Sequence, residues 1–244
     1  MKNERPMLGS GRPAVFWCLR LGAGLLALGT GSAAVIITET YTFPVGGAGG
    51  VVPDTGVPLT FGQVIAGSQI GVLTEVRVGL QLRGTTAGNG WAGDMFASLN
   101  RAGETTAILL HQPGATAGNP AGFGFDGWNV TFRDGAVNGD IHLGQPTGGD
   151  TLLSGEWQPD GRQSLNDALR SATLAGFNGL APGAAWYLTL ADLSPTGTMT
   201  VEGWSLTFIG TSVPEPEEWA VAVAAGLALF AAGHRRRHSP RPEA

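Results

Sequence analysis

The sequence is poor in cysteine, in lysine and in charged residues of either sign. Of its 244 residues one is a cysteine, Cys18, one is a lysine, Lys2, and 14% are charged, against about 25% in an ordinary soluble domain. One cysteine cannot supply a disulfide framework or a Cys-ligated zinc site. The formal net charge of −5 excludes a strongly basic nucleic-acid-binding protein, so no nucleic acid is expected as a partner.

Glycine is abundant, and the chain still has enough apolar residues to bury a core. Forty residues are glycine and 15 are proline, and the glycine content is more than twice the usual ~7%. The glycines follow no three-residue period, which excludes a collagen. With 43% hydrophobic residues, the composition favours a folded, turn-rich protein over a disordered one.

The charges divide the chain into an acidic body and two basic ends. Between Val35 and Val213 there are six arginines against nine aspartates and five glutamates. The other basic residues lie near the two termini, which indicates separate roles for the ends.

The N-terminal segment has the three parts of a secretory signal peptide. A positive region is followed by the apolar run Ala14–Leu28 and by the small residues Ser32, Ala33 and Ala34. We therefore predict a signal peptide over residues 1–34, removed by signal peptidase. Because Cys18 lies within it, the mature protein is expected to contain no cysteine.

The C-terminal segment combines a short motif, an apolar run and an arginine cluster. The motif is Val213-Pro214-Glu215-Pro216, the apolar run is Trp219–Gly233, and the cluster is Arg235, Arg236 and Arg237. A helix of that run spans roughly 22 Å, short of the ~30 Å hydrocarbon core, and snorkelling arginines extend its reach. By the positive-inside rule the arginines and residues 239–244 stay in the cytoplasm and the body lies outside.

This order of parts over residues 213–238 resembles the PEP-CTERM sorting signal of Gram-negative bacteria. The resemblance implies processing near Pro214–Pro216 by an exosortase, a membrane protease, and a link to exopolysaccharide and biofilm. It implies inner-membrane anchoring with the body in the periplasm, followed by the cell surface or the extracellular space. A plain C-terminal membrane anchor is the alternative.

The body, residues 35–212, has the alternating pattern of an all-β protein. Apolar and polar residues alternate from Val72 to Arg83 and around Trp128, Trp186 and Trp204, as in half-buried strands. Val35–Phe43 is a further strand, and segments 95–100 and 106–111 form a hairpin. Only Ser164–Ala172 is predicted as a short helix. We predict a jelly-roll-like β-sandwich with Trp186 and Trp204 in its core, flanked by a signal helix and one transmembrane helix, 219–233.

The order of these strands also resembles the P/Homo B domain, the β-sandwich that follows the catalytic domain of kexin- and furin-like proteases. The matching segments lie between residues 60 and 210, and the sequence departs from the family at Ala184, where glycine is common. The segments that carry the match are Gly93–Asn100, Ala107–Leu110, Leu174–Gly179, Ala185–Asp192 and Gly203–Phe208.

The sequence offers no catalytic constellation, so we predict that the protein is not an enzyme. The body contains two histidines, His111 and His142, and no G-x-S-x-G motif. We interpret both histidines as surface residues of strands or loops. A missing catalytic domain also means that any peptidase role would belong to a neighbouring domain.

Two weaker site hypotheses concern aspartates and tryptophans beside glycine-rich turns. No cofactor is expected except a structural Ca²⁺, for which Asp94 and Asp192 are the favoured pair because the P/Homo B resemblance places both at strand ends. Ordinary turn chemistry is the alternative for them. Trp91 and Trp157 are the candidates for exposed sugar-binding platforms, and loop anchoring is the alternative.

These observations favour a non-enzymatic, exported cell-surface or extracellular-matrix protein. Its expected partners are signal peptidase, an exosortase, the inner membrane and exopolysaccharide. The alternative is a secreted polysaccharide-binding, lectin-like or hydrolase-associated β-sandwich module, which two convergent carboxylates in an aromatic-flanked cleft would favour.

Overall fold

The computed structural model describes residues 34–45, 50–147, 151–195, 197–213 and 223–230. The chain divides into two compact units, one of residues 32–221 and one formed by the two termini. In the terminal unit, residues 223–230 are helical. Over the described ranges no helix has both the length and the apolar character needed to cross a membrane.

The regular secondary structure described in the larger unit consists of β-strands and short 3-10 turns. The strands are β1 (Ile36–Pro44), β2 (Leu59–Val64), β3 (Ile70–Gly84), β4 (Met95–Arg101), β5 (Thr106–His111), β6 (Gly127–Phe132), β7 (Leu152–Trp157), β8 (Ala185–Asp192) and β9 (Met199–Ser212). Three short 3-10 turns, Ala92–Asp94, Ile141–Leu143 and Leu174–Phe177, connect them. The predicted all-β class is confirmed.

The strands form two sheets. One has the order β1-β9-β3-β6-β7 and the other the order β2-β8-β4-β5. Every pairing is antiparallel except that of β6 with β7. Trp186 of the smaller sheet packs on Phe208 of the larger one, with ring centroids 5.0 Å apart, so the inner faces of the two sheets share one core.

The alternating pattern of β3 determines which of its faces enters this core. Val76, Val78, Leu80 and Leu82 are buried, and the intervening side chains face solvent. Because β3 and β9 have 15 and 14 residues, their pairing runs the full length of the larger sheet. Trp186 and Trp204 are 0% and 2% exposed, which confirms their predicted place in the core.

The predicted helix over Ser164–Ala172 is wrong. This segment belongs to an irregular stretch in which the Asp167 carboxylate accepts hydrogen bonds from Ser164 N and Ser164 Oγ at 2.8 and 2.9 Å. Such a local turn competes with a helix. Leu169 of this segment is 78% exposed, so it anchors no helix to the core.

The same irregular stretch covers the outer edge of β5. Asp160 N donates to Leu109 O at 3.0 Å, Gly161 N to Ile108 O at 2.9 Å, and Ile108 N to Ala172 O at 2.8 Å. An exposed strand edge invites pairing with other chains, and these bonds occupy it.

Candidate functional site

The two ends of the larger unit meet at one end of the larger sheet. Ser212 N donates to Val35 O at 2.9 Å, and Val213 N donates to Gln69 O at 2.8 Å. Ile36, the first residue of β1, pairs with Thr211 near the end of β9. The chain therefore enters and leaves the β-body side by side. We call this the exit end.

The predicted processing sites border the exit end in sequence. Ala34 and Val213 are described by the structure and are exposed. Ser32 and Ala33 of the signal site lie outside the described residues. So do Pro214, Glu215, Pro216, Arg235, Arg236 and Arg237 of the sorting motif.

The helical residues 223–230 expose apolar side chains all around the helix. All eight residues are exposed, and Val223, Leu227, Leu229 and Phe230 are exposed by 59%, 64%, 62% and 71%. A helix that is apolar on every face usually lies in a protein core or in lipid. The rest of the predicted segment 219–233 lies outside the described residues.

Asp94 and Asp192 lie side by side at the end of the β-body opposite the exit end. Asp94 closes the 3-10 turn before β4, Asp192 is the last residue of β8, and Asp192 pairs with Met95. Leu193 N donates to Asp94 O at 2.9 Å. Both aspartates are buried, at 4% and 1% exposure.

A third aspartate, Asp54, joins this pair. Burial, together with the nearby negative charges of Asp54 and Asp94, raises the pKa of Asp192 to about 6, although the Ser194 backbone N–H acts in the opposite direction. Asp54 Oδ1 is buried and has no hydrogen-bond partner. We call Asp54, Asp94 and Asp192 the aspartate cluster. Asp54, which lies in a Pro-Asp-Thr-Gly turn, was not among the residues predicted for this site.

The aspartate cluster has few of the oxygen ligands that a Ca²⁺ site needs. Calcium takes six to eight oxygen atoms. The part of the chain that the structure describes contains no group of three or more His, Cys, Asp or Glu side chains arranged to hold a metal ion. Ca²⁺ binding by Asp94 and Asp192 stays a prediction, tested below.

Two other aspartates, Asp126 and Asp134, accept hydrogen bonds from backbone N–H groups of loops that are distant in sequence. Asp126 Oδ1 accepts from Gly88 N and Gly90 N at 3.1 and 2.9 Å. Asp134 accepts from the backbone of Leu174 and Ala175 at 3.1 and 2.5 Å. These are the turn and cap roles that aspartate often takes.

His142 is buried, which corrects its interpretation as a surface residue. Only 5% of it is exposed. Its Nδ1 lies 2.8 Å from Asp160 Oδ2 and its Nε2 lies 3.2 Å from Ala115 O. Both neighbours are acceptors, so only the doubly protonated ring satisfies both contacts. His111 is partly buried in β5, and its Nδ1 lies 3.0 Å from Arg162 O.

Two arginines surround the His142–Asp160 pair. Arg162 contacts Asp160 Oδ1 at 3.0 Å and Asp140 Oδ2 at 2.6 Å, and Arg170 Nε donates to Asp160 O at 2.9 Å. The hydrogen bond to Asp160 raises the pKa of His142, against the effect of burial. Burial acts to raise the pKa of Asp160, but the hydrogen bonds from His142 and Arg162 hold it below its usual value. His142, Asp160, Arg162 and Asp140 therefore form one connected network of hydrogen bonds and ion pairs.

Trp91 and Trp157 are held by local contacts. Trp91 is 38% exposed, but its Nε1 donates to Ala121 O at 2.7 Å. Trp157 belongs to β7 and not to a loop, and its Nε1 donates to Ser154 O at 2.9 Å. Both contacts agree with the anchoring alternative. Sugar binding by either ring stays a prediction.

Comparisons with known proteins add no family. No family model matches the sequence, and no curated protein matches it. Part of the fold is similar to two crystal structures of an Aeromonas sobria serine protease, one of them in complex with the chaperone ORF2. Each has 15% identity and a TM-score of 0.40, covering 73% and 72% of this chain. The chain spans 28% and 27% of the length of those proteins.

Proposed function

We propose that this protein is a non-enzymatic, exported surface or matrix protein that an exosortase processes at a PEP-CTERM signal. The observation that carries the proposal is the meeting of the two ends of the β-body. Because Ser212 N donates to Val35 O, a signal peptide before Val35 and a sorting signal after Val213 leave the same end. The signal peptide and the sorting signal can then contact the same membrane without the chain having to run from one end of the body to the other.

Two further observations support anchoring. Residues 223–230 are helical and present exposed apolar side chains all around, which suits lipid better than water. The arginines at 235–237 would remain in the cytoplasm. The finer fold that we propose for the body is a jelly-roll-like sandwich of the P/Homo B type, serving as a displayed module.

The test is mass analysis of the protein from cells with and without the exosortase. Processing predicts that the C-terminal peptide, including Arg241 and Ala244, is lost only when the enzyme is present. Changing Pro214 and Pro216 to alanine should leave the protein anchored but unprocessed, because proline keeps this segment extended for a protease cleft. An identical intact mass in both strains would show that the tail is a plain membrane anchor and is not processed.

A second candidate function, binding of a neutral glycan, is favoured by a depression of about 300 Å³ on the outer face of the larger sheet. Gly79 and Gly203 lie beneath it, and Gln81, Asn129 and Ser205 line it. Planar amides and hydroxyls suit sugar hydroxyl groups. Gln81→Ala with Asn129→Ala should abolish retention on a dextran column, whereas the exposed loop variant Gln163→Ala should not. No retention of the wild type would reject this function.

A further inference from the structure

The exit end carries four exposed aliphatic side chains. Val35, Ile36, Val72 and Val213 are exposed by 58%, 60%, 44% and 55%. Ile36 and Val72 both lie opposite Thr211 in the sheet, so they share the outer face. Val213 is tied to Gln69 by a backbone hydrogen bond of 2.8 Å. We call these four residues the exit patch.

Ile36 and Val72 of the exit patch stand out from the rest of that face. Beyond the half-buried Ile209, the outward side chains are mostly polar, with Thr40 bonded to Thr207 at 3.0 Å and Glu75 paired with Arg77 and Arg133 at 2.8 Å. Exposed β-branched residues grouped at one place indicate an interaction surface. None of the six arginines of the body belongs to the patch, so its attraction to a partner would be apolar.

We infer that the exit patch rests on the bilayer surface while the protein is anchored. The inference depends on the anchoring that the proposed function includes. Five residues, Pro214–Glu218, separate Val213 from Trp219, and a chain of that length spans about 20 Å when fully extended. If Trp219 lies at the membrane interface, Val213 is within that distance of it.

Because the tether is short, a weak apolar contact is sufficient to orient the body on the membrane. Four aliphatic side chains alone would bind a membrane poorly, because a single lipid chain gives only marginal membrane binding. A short tether raises the effective concentration of the patch at the bilayer to roughly millimolar or above. The patch therefore adds orientation to a body that the anchor already holds.

The aspartate cluster, whose Asp94 and Asp192 are buried, marks the opposite end of the body. The aspartate cluster lies near the start of β9, and the exit patch lies at its end, about 40 Å away along the 14-residue strand. With the exit patch on the membrane, the acidic end points into the aqueous space.

The experiment uses the mature chain, residues 35–244, which contains no cysteine of its own, with one added cysteine that carries an environment-sensitive fluorophore. The test sites are Ile36→Cys and Val72→Cys. The matched control is Val57→Cys, because Val57 is 56% exposed and lies beside Gly56, whose N donates to Asp192 O at 2.9 Å at the opposite end. Each variant is reconstituted in neutral phosphatidylcholine vesicles at about one chain per vesicle, with or without a nitroxide-labelled phosphatidylcholine.

We expect the nitroxide lipid to quench the probes at 36 and 72 at least twofold more than the probe at 57. The difference should persist in 0.5 M salt, since the contact is apolar. Equal quenching at the three sites would overturn the inference. A signal that changes only at high protein-to-lipid ratio would overturn it in favour of a second copy of the chain.

Flotation of the same vesicles after an alkaline wash separates this inference from the proposed function. A chain that floats with its vesicles but shows no selective quenching is anchored without resting on the membrane, and only the inference fails. A chain that does not float contradicts the anchoring and the inference together. Circular dichroism of each cysteine variant verifies that the exposed substitutions leave the fold intact.

Discussion

His142 and Asp160 form a buried ion pair whose imidazole has no free nitrogen. Nδ1 lies 2.8 Å from the Asp160 carboxylate, and Nε2 lies 3.2 Å from the Ala115 carbonyl oxygen. Asp160 is in turn the residue whose backbone N–H bonds to the edge of β5, at Leu109 O. The protonation state of His142 therefore affects the stability of the pairing between the edge of β5 and the irregular stretch after β7.

The pH dependence of folding should report this pair. The pKa of His142 is raised above 6.5, so its contribution to stability is complete below about pH 6.5 and is lost as the pH rises through the folded-state value. His142→Gln should lower the free energy of unfolding by about 1.5–3 kcal/mol near pH 6. Above pH 6 the free energy of unfolding of this variant should fall less steeply than that of the wild type. Urea unfolding from pH 5 to pH 9 measures both effects.

The control for this prediction is His111→Gln, which removes the other histidine of the β-body. This variant should retain the wild-type slope between pH 6 and pH 9. If wild type and His142→Gln lose stability in parallel over that range, His142 is not the titrating group.

The aromatic core should be the largest single source of stability that a point mutation reveals. Trp186 packs between Phe177 and Phe208, with ring centroids 5.0 Å from each, and its Nε1 donates to Pro182 O at 2.9 Å. Trp186→Ala should cost about 3–5 kcal/mol. Trp91→Ala, at a ring that is 38% exposed, should cost less than Trp186→Ala, because a smaller share of the ring is removed from water. Equal losses in chemical denaturation would contradict the assignment of the core.

Gly127 occupies a position that no other residue should tolerate. It begins β6 with a φ of 140°, and a Cβ there would overlap the Leu82 carbonyl oxygen. Gly127→Ala should therefore cost about 3 kcal/mol or more. Gly135→Ala is the matched control, because nothing lies within 4 Å of a Cβ at that position. A similar melting temperature for the two variants would show that β6 shifts to accept the methyl group.

Strands with one buried face were predictable from the sequence, and others were not. The alternation of Val76, Val78, Leu80 and Leu82 follows from the period of a strand. β7 was missed because Gly155 interrupts it and only one of its six residues, Leu153, is buried. β2 was missed because it alternates between half-buried and exposed residues, and its two faces differ little in apolar content. Neither strand has a local pattern that separates it from a loop.

The buried polar groups were harder to predict, because their partners are distant in sequence. His142 and Asp160 are 18 positions apart with an irregular stretch between them, and no periodicity connects them. Asp54 approaches Asp192 from a turn more than a hundred residues earlier. One local signal was present at Asp140, whose carboxylate accepts from His142 N at 3.0 Å, as an N-cap residue does.

Asp192 should make the protein lose stability as the pH rises through about 6. Its folded-state pKa is raised from 3.8 to about 6, so the neutral acid is favoured in the folded protein. The stabilisation is complete below about pH 3.8 and is lost as the pH passes through the folded-state value. A shift of this size corresponds to at most about 3 kcal/mol. Asp192→Asn should remove the dependence, because an amide does not ionise.

The effect of calcium on the melting temperature distinguishes a metal site from an aspartate cluster that binds no metal. At pH 7.5 the Asp192 carboxylate is charged and buried beside Asp94, and a bound cation would offset the repulsion between them. If the predicted Ca²⁺ binds, 5 mM CaCl₂ should raise the melting temperature of the wild type, EDTA should reverse the rise, and Asp192→Asn should abolish it. Magnesium is the control, because it needs a stricter octahedral geometry than Ca²⁺. Equal melting curves in CaCl₂ and EDTA would reject the metal site, leaving the raised pKa of Asp192 as the whole consequence of the cluster.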